Sequence, residues 1–219
     1  MCGRFTLRSS PRAVAEAFGL PDAPLFPRYN IAPTQSVAAI QWQDGARHLN
    51  FLRWGLVPFW AKDVSIGSRM INARADTVAE KPAYRAAFKK RRCLILADGF
   101  YEWDQESKPK QPYYIRMKDE RSFAIAGLYE HWDKGLEPVN SCAMITTDAN
   151  SVLSGFHDRM PVILAPDDYD LWLDPEFEGK EKLLSLLRPF DPDEMTAYPV
   201  STVVNNARNE SPDCVQPQS

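Results

Sequence analysis

Residues 36–53, SVAAIQWQDGARHLNFLR, decide the fold class. Two runs of β-favouring residues flank Asp44-Gly45, a pair that accepts the backbone conformation of a tight two-residue turn. The stretch therefore reads as a hairpin over 36–43 and 46–53. Working outward, apolar strand candidates recur at 93–98, 112–117, 122–128, 139–146 and 161–164. Helix signals are fewer. Ser10-Pro11 before RAVAEAF and Gly19 has an N-cap, a first-turn proline and a terminating glycine. A second helix runs from Pro82 to about Lys90, and two late ones cover 166–173 and 179–187. Residues 21–33 read as a Pro-rich connector, and the polar stretch 205–219 as a fraying tail. Strands outnumber helices without alternating with them, which argues against a doubly wound sheet. The expectation is one α+β domain over 1–219, built on mostly antiparallel sheet with peripheral helices.

The chain has 219 residues, enough for a substantial core, and its 44% hydrophobic and 25% charged composition is that of an ordinary globular protein. No apolar run approaches the ~18 residues that a spanning helix needs. The start, MCGRF, lacks a secretory pattern. Cysteines 2, 93, 142 and 214 form no C-x-x-C pair. These features suggest a cytoplasmic protein with reduced thiols and no bound metal. Net charge is −3, but residues 69–92 carry eight Lys/Arg against two acids, and 166–194 ten acids against three bases. Such polarity suits a face that meets phosphate. The plainer reading of Lys89-Lys90-Arg91-Arg92 is a helix end, where cations suit the dipole.

Cys2 stands where removal of Met1 would leave a free amine and a thiol on adjacent carbons. That 1,2-aminothiol condenses with an aldehyde to an imine, which the thiol then closes to a five-membered thiazolidine. An α-amine with a pKa near ~7.7–8.0 is roughly one-seventh unprotonated at pH 7, far more than a lysine. By position alone, Cys2 is equally a tolerated small residue in a loose N-terminus.

Six segments raise the functional reading: Cys2-Gly3-Arg4, Arg28-Tyr29-Asn30-Ile31-Ala32-Pro33, Trp54-Gly55-Leu56-Val57-Pro58-Phe59-Trp60, Asn72-Ala73-Arg74-Ala75-Asp76-Thr77, Asp98-Gly99-Phe100-Tyr101-Glu102-Trp103 and His157-Asp158-Arg159-Met160-Pro161-Val162. In this order they closely resemble the SRAP family, the SOS-response-associated peptidases that shield abasic sites. The resemblance runs from residue 1 to about 206. It implies a barrel-like sheet and a covalent bond between Cys2 and an abasic site in single-stranded DNA, with no metal or organic cofactor and no membrane. An associated peptidase-type activity would be removal of Met1. The resemblance also implies roles for Glu102 as proton shuttle, Asn72 as holder of the amine and His157 as donor to the sugar oxygens. It implies DNA contacts at Arg4, Pro33, Phe59, Trp60, Arg74, Thr146 and Arg159. The arginines each lie two residues from a proposed reacting residue, and the resemblance implies that Phe59-Trp60 is an apolar wedge against bases, where some relatives have two tryptophans.

Each residue also has a plainer reading. Glu102 could face solvent, His157-Asp158-Arg159 could be a salt-bridged loop, Asn72 could cap a turn, and Phe59 or Trp60 could belong to the core. Three other functions stay open. An N-terminal-nucleophile amidohydrolase such as a glutamine amidotransferase also begins Met-Cys-Gly. A cysteine protease could use Cys2, His157 and Asn72. A non-enzymatic DNA-binding module would leave Cys2 unexplained.

Overall fold

The computed structural model describes residues 2–218. The expected hairpin is β3 (Ser36–Gln43) and β4 (Ala46–Trp54), in register from Ser36 opposite Arg53 to Gln43 opposite Ala46. Asp44 and Gly45 turn it with φ of 50° and 78°, the left-handed pair that a two-residue loop needs.

This hairpin joins β6 (Arg92–Ala97), β9 (Phe123–Trp132) and β10 (Val139–Asp148) in a ring. The path β10–β4–β3–β6–β9 returns to β10. Closure is thin, because β4 meets β10 in parallel only at Arg53–Ser141 and Trp54–Cys142. Beyond that point β5 (Asn72–Arg74) takes over beside β10, also in parallel, and β11 (Arg159–Pro161) pairs antiparallel with the end of β10. β12 (Ile163–Leu164) pairs with β9. The expected barrel-like sheet is thus a ring with one short contact rather than a strict barrel.

A second, antiparallel sheet packs on the ring. Its strands are β1 (Phe5–Leu7), β2 (Arg28–Ile31), β7 (Gly99–Trp103), β8 (Pro112–Met117) and β13 (Met195–Pro199), in the order β13-β8-β7-β1-β2. Period-2 alternation sends Phe100 and Ile115 into the shared core and Tyr101 and Tyr114 to a smaller cluster on the other face. Phe5 meets Trp54 edge-on at 5.2 Å, locking the first strand onto the ring. The class is therefore α+β, as expected.

Helix α1 (Pro11–Phe18) has the predicted ends: Ser10 caps Ala13 N–H, and Gly19 sits at φ 64°. Helices α2 (Arg85–Lys90), α3 (Tyr169–Leu173) and α4 (Lys180–Ser185) are shorter than expected. None of the described helices is long and apolar enough to cross a membrane.

Two expectations are corrected. The connector 21–33 contains the edge strand β2. The stretch from Asn205 does not fray: Cys214 and Val215 are buried, and Asn30 Nδ2 donates to the carbonyls of Asn206 and Asn209. Glu210 accepts from the N–H groups of Tyr29 and Asn30 and from Arg28 Nε. Residues 202–217 thus form a strap over the outer edge of β2. Their polar composition misled because the strap is held by hydrogen bonds rather than by a run of apolar side chains.

Candidate active site

The four expected reacting residues meet at the seam of the two sheets. Cys2 leads into β1 and Glu102 lies on β7, both from the five-stranded sheet; Asn72 opens β5 and His157 precedes β11, both from the ring. Glu102 shares a strand face with Phe100, so alternation aims it at the core side, where it is almost wholly buried. It does not face solvent. His157 is brought to it by the turn 150–157. Phe156 stacks on Tyr113 at 4.7 Å with rings nearly parallel, and Tyr113 is the cross-strand partner of Glu102. The result is 4.0 Å between His157 Nε2 and Glu102 Oε2.

Asn72 Nδ2 donates to the Cys2 carbonyl at 2.8 Å, and Tyr84 Oη donates to the Asn72 carbonyl at 3.1 Å. Asn72 therefore joins the two sheets instead of capping a turn. Its Oδ1 is buried and has no hydrogen-bond partner among the described residues.

Burial sets the protonation states. It pushes the Cys2 thiol well above its ordinary pKa, and the nearby Glu102 acts in the same direction. Burial also raises Glu102 to about 7, with Asp158 adding to the rise. His157 is lowered, again chiefly by burial, so it is neutral near pH 7. Its Nδ1 accepts from Arg159 N–H at 2.9 Å, which leaves the proton on Nε2, toward Glu102. At rest the seam thus holds a thiol, a carboxyl group poised near neutrality and a neutral imidazole.

The expected DNA-contacting residues divide into outward and inward groups. Phe59 and Trp60 are 55% and 43% exposed, outside the core. Arg74 is exposed and gripped by Asp76 at 3.1 and 2.8 Å. Pro33 is half-buried beside β2. Arg159 is buried, donating to Asp148 Oδ1 and the Thr146 carbonyl, both at 2.6 Å. Thr146 is fully buried. Arg4 uses Nη1 on Asn30 Oδ1 and the Val204 carbonyl at 2.7 and 2.8 Å. Three of the four cations in the run 89–92 are likewise engaged. Arg92 donates to the carbonyls of Phe88 and Trp172, Lys90 pairs with Glu178, and Arg91 pairs with Glu130.

Sequence reasoning missed the support under Phe59-Trp60. Gly55, Val57, Phe59 and Ala61 are each bonded to β9 or β10: Gly55 N–H to the Cys142 carbonyl, Val57 N–H to Ser141 Oγ, Phe59 N–H to Glu130 Oε2, and the Ala61 carbonyl to Trp132 Nε1. Gly55 has φ 132°, and a Cβ there would lie 2.5 Å from the Gly67 carbonyl oxygen, so the chain needs glycine to leave β4. A signal existed in Leu128-Tyr129-Glu130-His131-Trp132, where alternation puts an acid on the face of Leu128 and Trp132.

A compact α+β scaffold that buries a cysteine at position 2 against Asn72, Glu102 and His157 defines the class. Residues 1–207 match the family described as SOS response associated peptidase (SRAP), and the chain belongs to that family. It is 45% identical to the abasic site processing protein YoqW of Bacillus subtilis, with 99% of each chain covered. It is 37% identical to the abasic site processing protein HMCES of Xenopus tropicalis, over 86% of this chain and 65% of that one. A crystal structure of a Bacteroides thetaiotaomicron protein superposes with a TM-score of 0.89 at 32% identity, covering both chains fully.

Proposed function

We propose that this protein senses and shields abasic sites in single-stranded DNA by a covalent thiazolidine at Cys2. The observation that carries the reading is the seam itself, which draws Cys2, Asn72, Glu102 and His157 together from four distant segments. Similarity to proteins named for abasic site processing supports the substrate class.

The chemistry begins once Met1 is removed. Glu102, half protonated near neutral pH, gives its proton to the ring oxygen of the closed sugar while the anomeric hydroxyl releases its own to water, and the ring opens to the aldehyde. As carboxylate it then takes a proton from the attacking α-amine, and loss of water leaves an imine. Addition of the Cys2 S–H across the C=N bond closes the ring, with sulfur on carbon and the proton on nitrogen. The net change is loss of one water, and no metal or organic cofactor enters. Asn72 holds Cys2 by its carbonyl, and its buried Oδ1 offers the released amine an acceptor. His157 Nε2–H serves as donor to the sugar oxygens.

The residues beside Cys2 favour this order over the rivals. A cysteine protease or amidohydrolase has no use for Glu102 as a proton shuttle or for the exposed Phe59-Trp60 pair. In the proposed sequence the amine attacks first and the thiol adds to an electrophilic imine.

Phe59, Trp60 and Arg74 would meet the bases and backbone, with Pro33 and the second guanidinium nitrogen of Arg4 beside them. Arg159 and Thr146 would shape the site from within. The place of action on this reading is the cytoplasm, on DNA. Family peptidase activity would correspond to removal of Met1, and the intact mass of Glu102→Gln assigns that step: retained Met1 points to self-processing through Glu102, its loss to an aminopeptidase.

The deciding experiment mixes the protein with a single-stranded oligonucleotide whose uracil has been excised and runs a denaturing gel. A shifted, heat-stable band that disappears in Cys2→Ala is expected. Glutamine-dependent ammonia release without such a band would instead select the amidotransferase.

A further inference from the structure

Arg91, from the basic run 89–92, and the buried Glu130 have no part in the chemistry above, yet they meet beneath the exposed aromatic turn. Glu130 and Ser141 are directly opposite one another on β9 and β10. They share one face and receive the N–H groups of Val57 and Phe59, two residues apart. Trp132, two residues from Glu130 on the same face, fixes Ala61 at 2.9 Å. Val57, Ala61 and Trp132 pack as a small cluster of their own beneath the turn. The backbone from 55 to 61 is therefore bonded at every second residue, while Phe59 and Trp60 remain exposed.

A carboxylate buried to this degree needs compensation. Arg91, at the end of α2, supplies it through two donors, Nε and Nη2. The ionised oxygen makes the bond to Phe59 N–H charge-assisted, hence stronger than a neutral one. Exposed aromatic rings on a free loop would lose backbone entropy on meeting a base; on a fixed turn they do not.

We infer that Glu130, charged and held by Arg91, is a positioning residue that presents Phe59 and Trp60 to nucleobases flanking the lesion. This rests on the proposed function and deepens it, naming what keeps the binding surface in shape. Glu130 touches no reacting atom.

The test measures capture rate against oligonucleotide concentration, with a single-stranded abasic oligonucleotide as probe. Glu130→Gln should raise the half-saturating concentration about fivefold or more and leave the maximal rate unchanged. In a Phe59→Ala/Trp60→Ala background the same change should add nothing, because the presented rings are already gone. Ser141→Ala removes the neighbouring acceptor with the ion pair intact, and it repeats the test where Glu130→Gln fails to fold. An equal fall in maximal rate, or a full additional loss in the ring-less background, would overturn positioning in favour of general structural damage. The two readings fail differently. If Phe59→Ala/Trp60→Ala binds normally, the aromatic surface itself is wrong; if that variant weakens binding but neither Glu130→Gln nor Ser141→Ala does, the inference alone is wrong.

Discussion

The seam and the aromatic turn use burial in opposite ways. At the seam, Cys2, Glu102 and His157 are withdrawn from water, and withdrawal shifts all three toward their neutral forms. At the turn, Phe59 and Trp60 are pushed out while the polar groups beneath them are buried and paired. On the proposed function, protons move where solvent is excluded from the side chains, and DNA is met where solvent is excluded from the backbone beneath. That reading separates reactivity from affinity, so substitutions in the two regions should fail in different measurements.

The largest expected effect lies at Cys2. An alanine inserted between Met1 and Cys2 keeps the thiol but moves the amine, and should abolish the heat-stable adduct; a full-yield band would refute the thiazolidine. Next comes Glu102→Gln, expected to slow capture at saturating DNA by ~10²–10⁴-fold with affinity unchanged. Loss of affinity instead would erase the division between seam and turn. On the other side, Phe59→Ala or Trp60→Ala should weaken binding by ~1–3 kcal/mol per stacked base, at an unchanged maximal rate.

Smaller effects sharpen the contrast. Glu102 is raised from 4.5 to about 7, so its burial is fully tolerated below pH 4.5 and costs stability as pH rises through 7. Glu102→Gln should be more stable than wild type at pH 8–9, by up to about 3 kcal/mol, and the advantage should vanish near pH 4. Denaturant titrations at both pH values measure this. Smallest is Arg74→Ala, the exposed guanidinium, which should lower the salt slope of single-stranded binding by ~0.7, roughly a factor of three between 50 and 200 mM salt. Arg159→Ala should leave that slope alone and lower thermal stability, since its donors serve Asp148 and the Thr146 carbonyl.

Much of this is legible in the sequence itself. Asp44-Gly45 announced its hairpin and Ser10-Pro11 with Gly19 its helix, because local turn and cap chemistry fixes those conformations. The four seam residues were legible only as a set of motifs; none carries a local signal, because their meeting depends on two sheets closing over one another. Arg159 illustrates the limit. Two residues from His157 and positively charged, it invited a phosphate, yet strand pairing turns it inward to Thr146. The quoted motifs likewise mix roles. Asp98 accepts from Thr6 Oγ1 and the N–H groups of Arg8 and Ser9, and Asn30 holds the strap. The strap was invisible because its anchors are backbone carbonyls and the scattered side chains of Asn205 and Glu210, which composition does not report.

That strap gives the molecule a biosynthetic timetable. Arg4 is tied to the carbonyl of Val204, 200 residues later, and Trp103, the neighbour of Glu102, donates to Asn205 Oδ1. A ribosome working at ~5–20 residues per second takes roughly 10–40 s to travel from one tie to the other. Throughout that interval the nascent chain carries Cys2 without the clasp that braces the strands on either side of it. On the proposed function, the site is therefore braced late, when the stretch around 204–210 emerges and folds back.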